Sequence, residues 1–175
     1  TILGYVSQSA ARETGLKEGT LVVAGGGDGQ AAGLGVNALT TERAYLNLGT
    51  AVVSGSYVID YISDKSFRTM SSCSDQGFYC ETSLRSGTFL IDWFLNQVLH
   101  IPPEEKLATI NLLEAEAKNI RHGCDGLMVL PYWNAVMNPY WDPAARGCII
   151  GFHSGHTRAH IFRAILEGIA LEQSL

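Results

Sequence analysis

One carboxylate stands alone in a glycine turn. Residues 21–35 read LVVAGGGDGQAAGLG, and Asp28 is the single charged side chain among them. A short apolar run delivers the chain into the turn, and an Ala/Gly-rich stretch leaves it. Backbone N–H groups at a strand-to-helix turn can hold an anion, and absent side chains let a ligand approach the acid. Asp28 in that setting can be a reactive group brought close to a ligand. It can equally be a structural cap, because a short acceptor at a helix start satisfies free N–H groups. A third reading takes Gly27, Gly29 and Ala32 as G-x-G-x-x-A, a dinucleotide-binding turn, which calls for an acidic residue about twenty positions on. Glu42 comes too early for that, in a polar TTER turn, and Asp28 would repel a pyrophosphate.

A second glycine element follows at LNLGTAV, residues 46–52. Gly49-Thr50 between two β runs offers N–H donors and a hydroxyl, the groups a phosphate oxygen needs, although many hairpins use the same pair only to turn. His153, His156 and His160 are spaced as metal ligands could be, but no neighbouring carboxylate or cysteine completes a set, so surface or supporting roles are expected. Trp133, Tyr140 and Trp141 read as loop and core packing, with an aromatic ligand wall as the alternative. Asp142 and Arg146 are expected to pair and hold that loop. Glu104-Glu105 and the EAEAK run read as a solvated helix face.

The elements that must position these groups alternate between strand and helix, which makes the fold class α/β. Strands are expected at 20–24, 43–49, 51–60, 126–133 and 147–152. A short Ala/Gly helix is expected over 28–38. SGTFLIDWFLNQVL (86–99) reads as a buried helix carrying Phe89, Trp93 and Val98, with Ile91, Phe94 and Leu95 between them. Pro102-Pro103 opens another helix that Gly123 stops, and an amphipathic helix ends the chain with Ile161, Ile165 and Ile169 on one stripe. Residues 63–82 are polar and read as a loop with one further short strand.

The 175 residues allow one compact domain or parts of two. Twelve basic against seventeen acidic residues give a net charge of −5, with no Lys/Arg cluster, so a nucleic-acid footprint is not expected. No apolar run is long enough to span a bilayer, and a signal peptide is not expected. Cys73, Cys80, Cys124 and Cys148 form no ligand pairs and read as reduced, with a Cys73–Cys80 bridge as the alternative in an oxidising compartment.

Taken in order, GGGDGQAAGLG, LNLGTAVVSG, GLMVLPYW, NPYWDPAARGCIIGF and HTRAHIFRAILEGIALEQ resemble the FGGY family of carbohydrate kinases. This is the family of glycerol kinases, xylulokinases and ribulokinases, within the actin, hexokinase and heat-shock-chaperone ATPase superfamily. The resemblance implies part of an actin-like, ribonuclease H-like α/β fold, with a mixed sheet and flanking helices. It implies that residues 1–40 are the tail of a first, sugar-binding domain and 41–175 the opening of a second, nucleotide-binding one. The family's first phosphate loop and its late Gly-Gly adenosine motif do not occur here. The chain is therefore expected to be the middle of a longer protein and inactive alone; Thr1 in place of Met agrees with that.

The roles implied by the resemblance are specific. Asp28 matches the catalytic base that takes the proton of a sugar hydroxyl, and a contact with Mg²⁺ through water is implied for it. Gly29 and Gln30 match substrate contacts, Gly49 and Thr50 the second phosphate loop, and Thr88 and Asp92 nucleotide contacts. The expected ligands are ATP, Mg²⁺ and a ketose or polyol, in a cytoplasmic, xylulokinase-like enzyme that forms a homodimer. A ligand-binding or dimerising piece without turnover, and a dinucleotide-dependent enzyme, are the alternatives. Three departures from the family pattern stand out. Gly29 replaces the Gln or Asn that usually follows the base, Ala51 replaces a Ser or Thr donor, and NAVMNP (134–139) replaces the xylulokinase S-G-E-R-T-P.

Overall fold

The computed structural model describes residues 1–74 and 76–175. The chain opens with β1 (Ile2–Tyr5), α1 (Gln8–Thr14) and β2 (Leu21–Val23), and β1 pairs antiparallel with β2. Ser7 caps α1 by accepting the Ala10 N–H at 3.3 Å, and Gly15 ends it in the left-handed conformation. The glycine turn then leads into α2 (Asp28–Gly35), which is shorter than expected because Asn37 leaves the helical region at φ 56°.

Two hairpins form the central sheet. β3 (Ala44–Leu48) and β4 (Val52–Val58) meet across the Gly49-Thr50 turn, while β5 (Arg68–Ser71) and β6 (Phe78–Leu84) make two strands where a loop with one short strand was expected. The strand order is β3-β4-β6-β5, and β4 pairs with β6 over its full length. The α/β class holds. Among the described residues every ladder is antiparallel, where a mixed sheet was expected; the short β3–β4 turn sets that direction for its pair.

After the sheet, α3 (Thr88–Trp93) runs into a wider π turn over Phe94–Val98. A 3₁₀ turn at Pro103–Glu105 starts α4 (Lys106–Ala117). β7 (Met128–Leu130) and β8 (Cys148–Ile150) form a small hairpin, and α5 (Arg158–Gln173) closes the chain. The π turn shifts the helical phase. Leu90, Phe94 and Leu95 are fully buried, while Val98, at the end of that turn and expected inside, is 44% exposed.

Two cores result. The larger joins Leu90, Phe94 and Leu95 to Leu113 of α4, Val129 of β7 and Phe162 and Ile165 of α5. Each such side chain contributes about 1.5–3 kcal/mol on burial. The smaller core lies under α2 and stacks Tyr45, Tyr57 and Tyr79 edge to face, with ring centroids 5.4 and 5.9 Å apart. In the loop before β8, Trp133 packs on Trp93 and the Trp141 Nε1–H donates to the Lys65 carbonyl at 2.7 Å. Asp142 and Arg146 do not pair as expected. Asp142 Oδ1 accepts the Ala144 N–H and the Arg146 guanidinium donates to the Pro143 and Ala145 carbonyls, so each braces the loop through its own backbone.

Candidate active site

Gly27 is the cap of α2 and Asp28 its first helical residue. Asp28 is exposed, with Oδ1 accepting the Gly29 N–H at 2.9 Å, so the carboxylate is held at the turn and open to solvent. Beside it lies a polar cleft of about 570 Å³. Ala24 to Gly27 and Gln30 form one wall, Ser71 to Ser74 the other, and the Cys73 sulfur rests against Gly26.

Beneath the turn is a group that sequence reasoning missed. Tyr45, Gly55, Glu81 and Arg68 stand in one row across the sheet, each paired with the next. Gly55 has no side chain, and the Tyr45 ring fills the vacant space to reach across two strands. Its hydroxyl donates to Glu81 Oε2 at 2.9 Å. Arg68 Nε donates to Glu81 Oε1 at 2.6 Å, and a second guanidinium nitrogen pairs with the same oxygen. The Glu81 side chain is fully buried. Burial, then the neighbouring Glu81 carboxylate, pushes the Tyr45 phenol well above its ordinary range, so it stays a donor. One signal was available: Arg68 and Glu81 are opposite charges, which suit a cross-strand pair.

The second glycine element is fastened differently. Thr50 is exposed at the tip of the β3–β4 turn, and the turn's carbonyls accept bonds from the start of α3. Thr88 N donates to Gly49 O and Gly87 N to Thr50 O, both at 2.9 Å. Gly49, Thr50 and Thr88 are thus brought together. Asp92, one turn along α3, receives a hydrogen bond from Lys106 Nζ at 3.0 Å.

Asp28, Gly29 and Gln30 form one group, and Gly49, Thr50 and Thr88 the other. The cleft lined by Gly27 and Gln30 is not lined by Gly49, Thr50 or Thr88. Strand β3 spans between them, about 13 Å from Tyr45 to Gly49 at the usual rise per residue. The histidines belong to neither group. The Thr157 hydroxyl and N–H both meet His160 Nδ1, and the His156 and His153 Nδ1 atoms accept the His153 and Gly155 N–H groups, so they cap the entry to α5. Among the described residues no three His, Cys, Asp or Glu side chains converge as metal ligands, and no helix is long and apolar enough to cross a membrane.

With the turn and the hairpin placed, comparison with known proteins decides the family. Residues 41–174 match the model of the FGGY family of carbohydrate kinases, C-terminal domain. The chain belongs to the FGGY family. YgcE of Escherichia coli K12, described as an uncharacterized sugar kinase, is 30% identical over 98% of this chain and 35% of its own length. The xylulose kinase of Bacillus subtilis 168 is 30% identical over 95% of this chain and 33% of its own. Among solved structures, xylulose kinase from Rhodospirillum rubrum superposes with a TM-score of 0.81 at 27% identity, covering 97% of this chain and 33% of that one. Gluconate kinase from Lactobacillus acidophilus shares the fold with a TM-score of 0.80 at 23% identity, covering 98% and 34%. The FGGY chain described here therefore spans about a third of the length of these relatives, and its fold is the actin-like ATPase fold they share.

Proposed function

We propose that this chain is the central part of an ATP-dependent kinase that phosphorylates a hydroxyl of a ketose or polyol. The observation that carries this reading is the solvent-open Asp28 carboxylate, held by the Gly29 N–H at the mouth of a glycine turn in an FGGY kinase chain. Phosphoryl transfer needs a positioned hydroxyl, a base for its proton and donors around the transferred group. Asp28 takes the proton, and Gly29 and Gln30 contact the acceptor, with Gln30 reaching into the polar cleft. Gly49 and Thr50 hold the terminal phosphates of ATP, and Thr88, fastened to them, and Asp92, one turn further on, contact the nucleotide.

Mg²⁺ fits this donor set, because it keeps most of its waters and binds through one or two carboxylates plus phosphates. Asp28 would hold it through water, and the ion would offset phosphate charge. The family match to 41–174 supports a domain boundary after residue 40, with 1–40 as the tail of a sugar-binding domain. Exposed apolar residues on β1 and β2, including Ile2, Leu3, Leu21 and Val23, support burial of that hairpin by further segments of the kinase or by a second copy in a homodimer. A cytoplasmic location follows from ATP use.

The test is ADP release by the complete polypeptide carrying these residues, with ATP, Mg²⁺ and a panel of ketoses, polyols and aldonates. Turnover with a ketose or polyol is the expected result. Turnover with aldonates alone would move the acceptor class to that of gluconate kinase. No turnover with any acceptor would overturn the reading.

A further inference from the structure

The buried Glu81 carboxylate has no part in the reaction as proposed, yet it lies directly under the residue next to the base. A Cβ built on Gly29 would overlap Glu81 Oε2 and come within 3.4 Å of the Tyr45 hydroxyl. The carboxylate thus fills the space that a side chain at position 29 would need. This accounts for the departure noted in the sequence, where Gly29 stands in place of an amide residue. Bond lengths from Asp28 Oδ1 through Gly29 N and Cα place the two carboxylates within about 8 Å of each other.

We infer that Glu81, clamped by Tyr45 and Arg68, is a positioning residue that sets the height of the Asp28 turn above the sheet. The inference rests on Asp28 being the base. The geometry is over-determined in the manner a positioning group requires. Both Glu81 oxygens are engaged, Oε1 by Arg68 and Oε2 by Tyr45, so the carboxylate cannot rotate away from Gly29. Gly33, one helical turn on, abuts the Tyr79 ring, so α2 meets the sheet at two points and its first turn cannot tilt freely. A sheet residue thereby fixes a catalytic turn that belongs to the preceding segment of the chain.

Two measurements on the complete polypeptide test this. In Glu81→Gln and the milder Tyr45→Phe, amide hydrogen exchange over residues 25–31 should accelerate about tenfold or more while β4 and β6 stay protected. Turnover should fall about 10–100-fold and 3–10-fold respectively, with the KM for ATP unchanged. In the Asp28→Asn background the same substitutions should lower turnover by less than about twofold, because a group acting through the base has nothing left to position. Unchanged exchange in the turn would overturn the inference whatever the activity, and equal losses with and without Asp28 would reduce Glu81 to a general support of the sheet. Wild-type protein without turnover would instead refute the kinase reading, and the exchange result would still decide whether Glu81 holds the turn.

Discussion

Gly87→Ala is the substitution whose consequence the structure fixes most closely. Gly87 caps the start of α3, and the space around it is fully occupied. A Cβ there would sit 2.6 Å from Gly49 O, 2.9 Å from the Ala51 carbonyl carbon and 2.9 Å from Val52 Cγ2. Ordinary contact begins near about 3.5 Å, so the turn must retreat by about 0.9 Å. Its two bonds to the start of α3, both 2.9 Å, would then stretch or break. Overpacking costs about 1–3 kcal/mol and each lost bond about 0.5–1.5 kcal/mol, so about 2–6 kcal/mol is expected. That corresponds to a fall in Tm of about 4–24 °C for a domain of this size. The assay is thermal unfolding beside Gly35→Ala, where an added Cβ meets nothing within 4 Å. In the complete polypeptide the KM for ATP should rise about tenfold, the worth of one displaced phosphate donor. A Tm within about 2 °C of the Gly35→Ala control, with the KM for ATP unchanged, would refute the argument.

Three other outcomes follow from the geometry. Burial, then the Glu167 carboxylate, pushes the Cys124 thiol up to about 11, so at pH 8 a thiol reagent should label exposed Cys73 and Cys148 and spare Cys124 until unfolding. Burial opposes ionisation of Glu167, but hydrogen bonds from Arg163, the Gly123 N–H and the Cys124 thiol outweigh it and lower its pKa. Its stabilisation is therefore present above the ordinary carboxylate range and lost as pH falls through the lowered value. Glu167→Gln should cost about 1–3 kcal/mol at pH 7 in urea unfolding and flatten the acid side of the stability profile. Leu113→Ala, which empties a fully buried site in the larger core, should cost about 2–5 kcal/mol by the same measurement.

What the sequence revealed, and what it hid, divides by the range of the interaction. The strand, glycine turn and helix around Asp28 are local patterns, and they stand where the residue types put them, as does the Gly49-Thr50 hairpin. The helices α3, α4 and α5 follow from apolar spacing and proline or glycine stops. β1 and α1 escaped because their apolar period is weak, although Ser7 and Gly15 mark both ends of α1. Of β5 and β6 only one short strand was expected, because Glu81 reads as an exposed residue until Arg68 is placed opposite it and Tyr45 is brought over Gly55 from two strands away. The failure of Asp142 and Arg146 to pair has the same root, since nearness in sequence did not predict that each would find a closer backbone partner.

The central claim is that Asp28, open to solvent on its glycine turn, removes the acceptor's proton. The most direct measurement is the turnover of Asp28→Asn in the complete polypeptide, with ATP, Mg²⁺ and the best acceptor from the panel. A loss of about 10²–10⁴-fold in kcat, with the acceptor's affinity little changed, is the predicted result. Turnover within about threefold of the unsubstituted protein would contradict it and remove Asp28 from the mechanism.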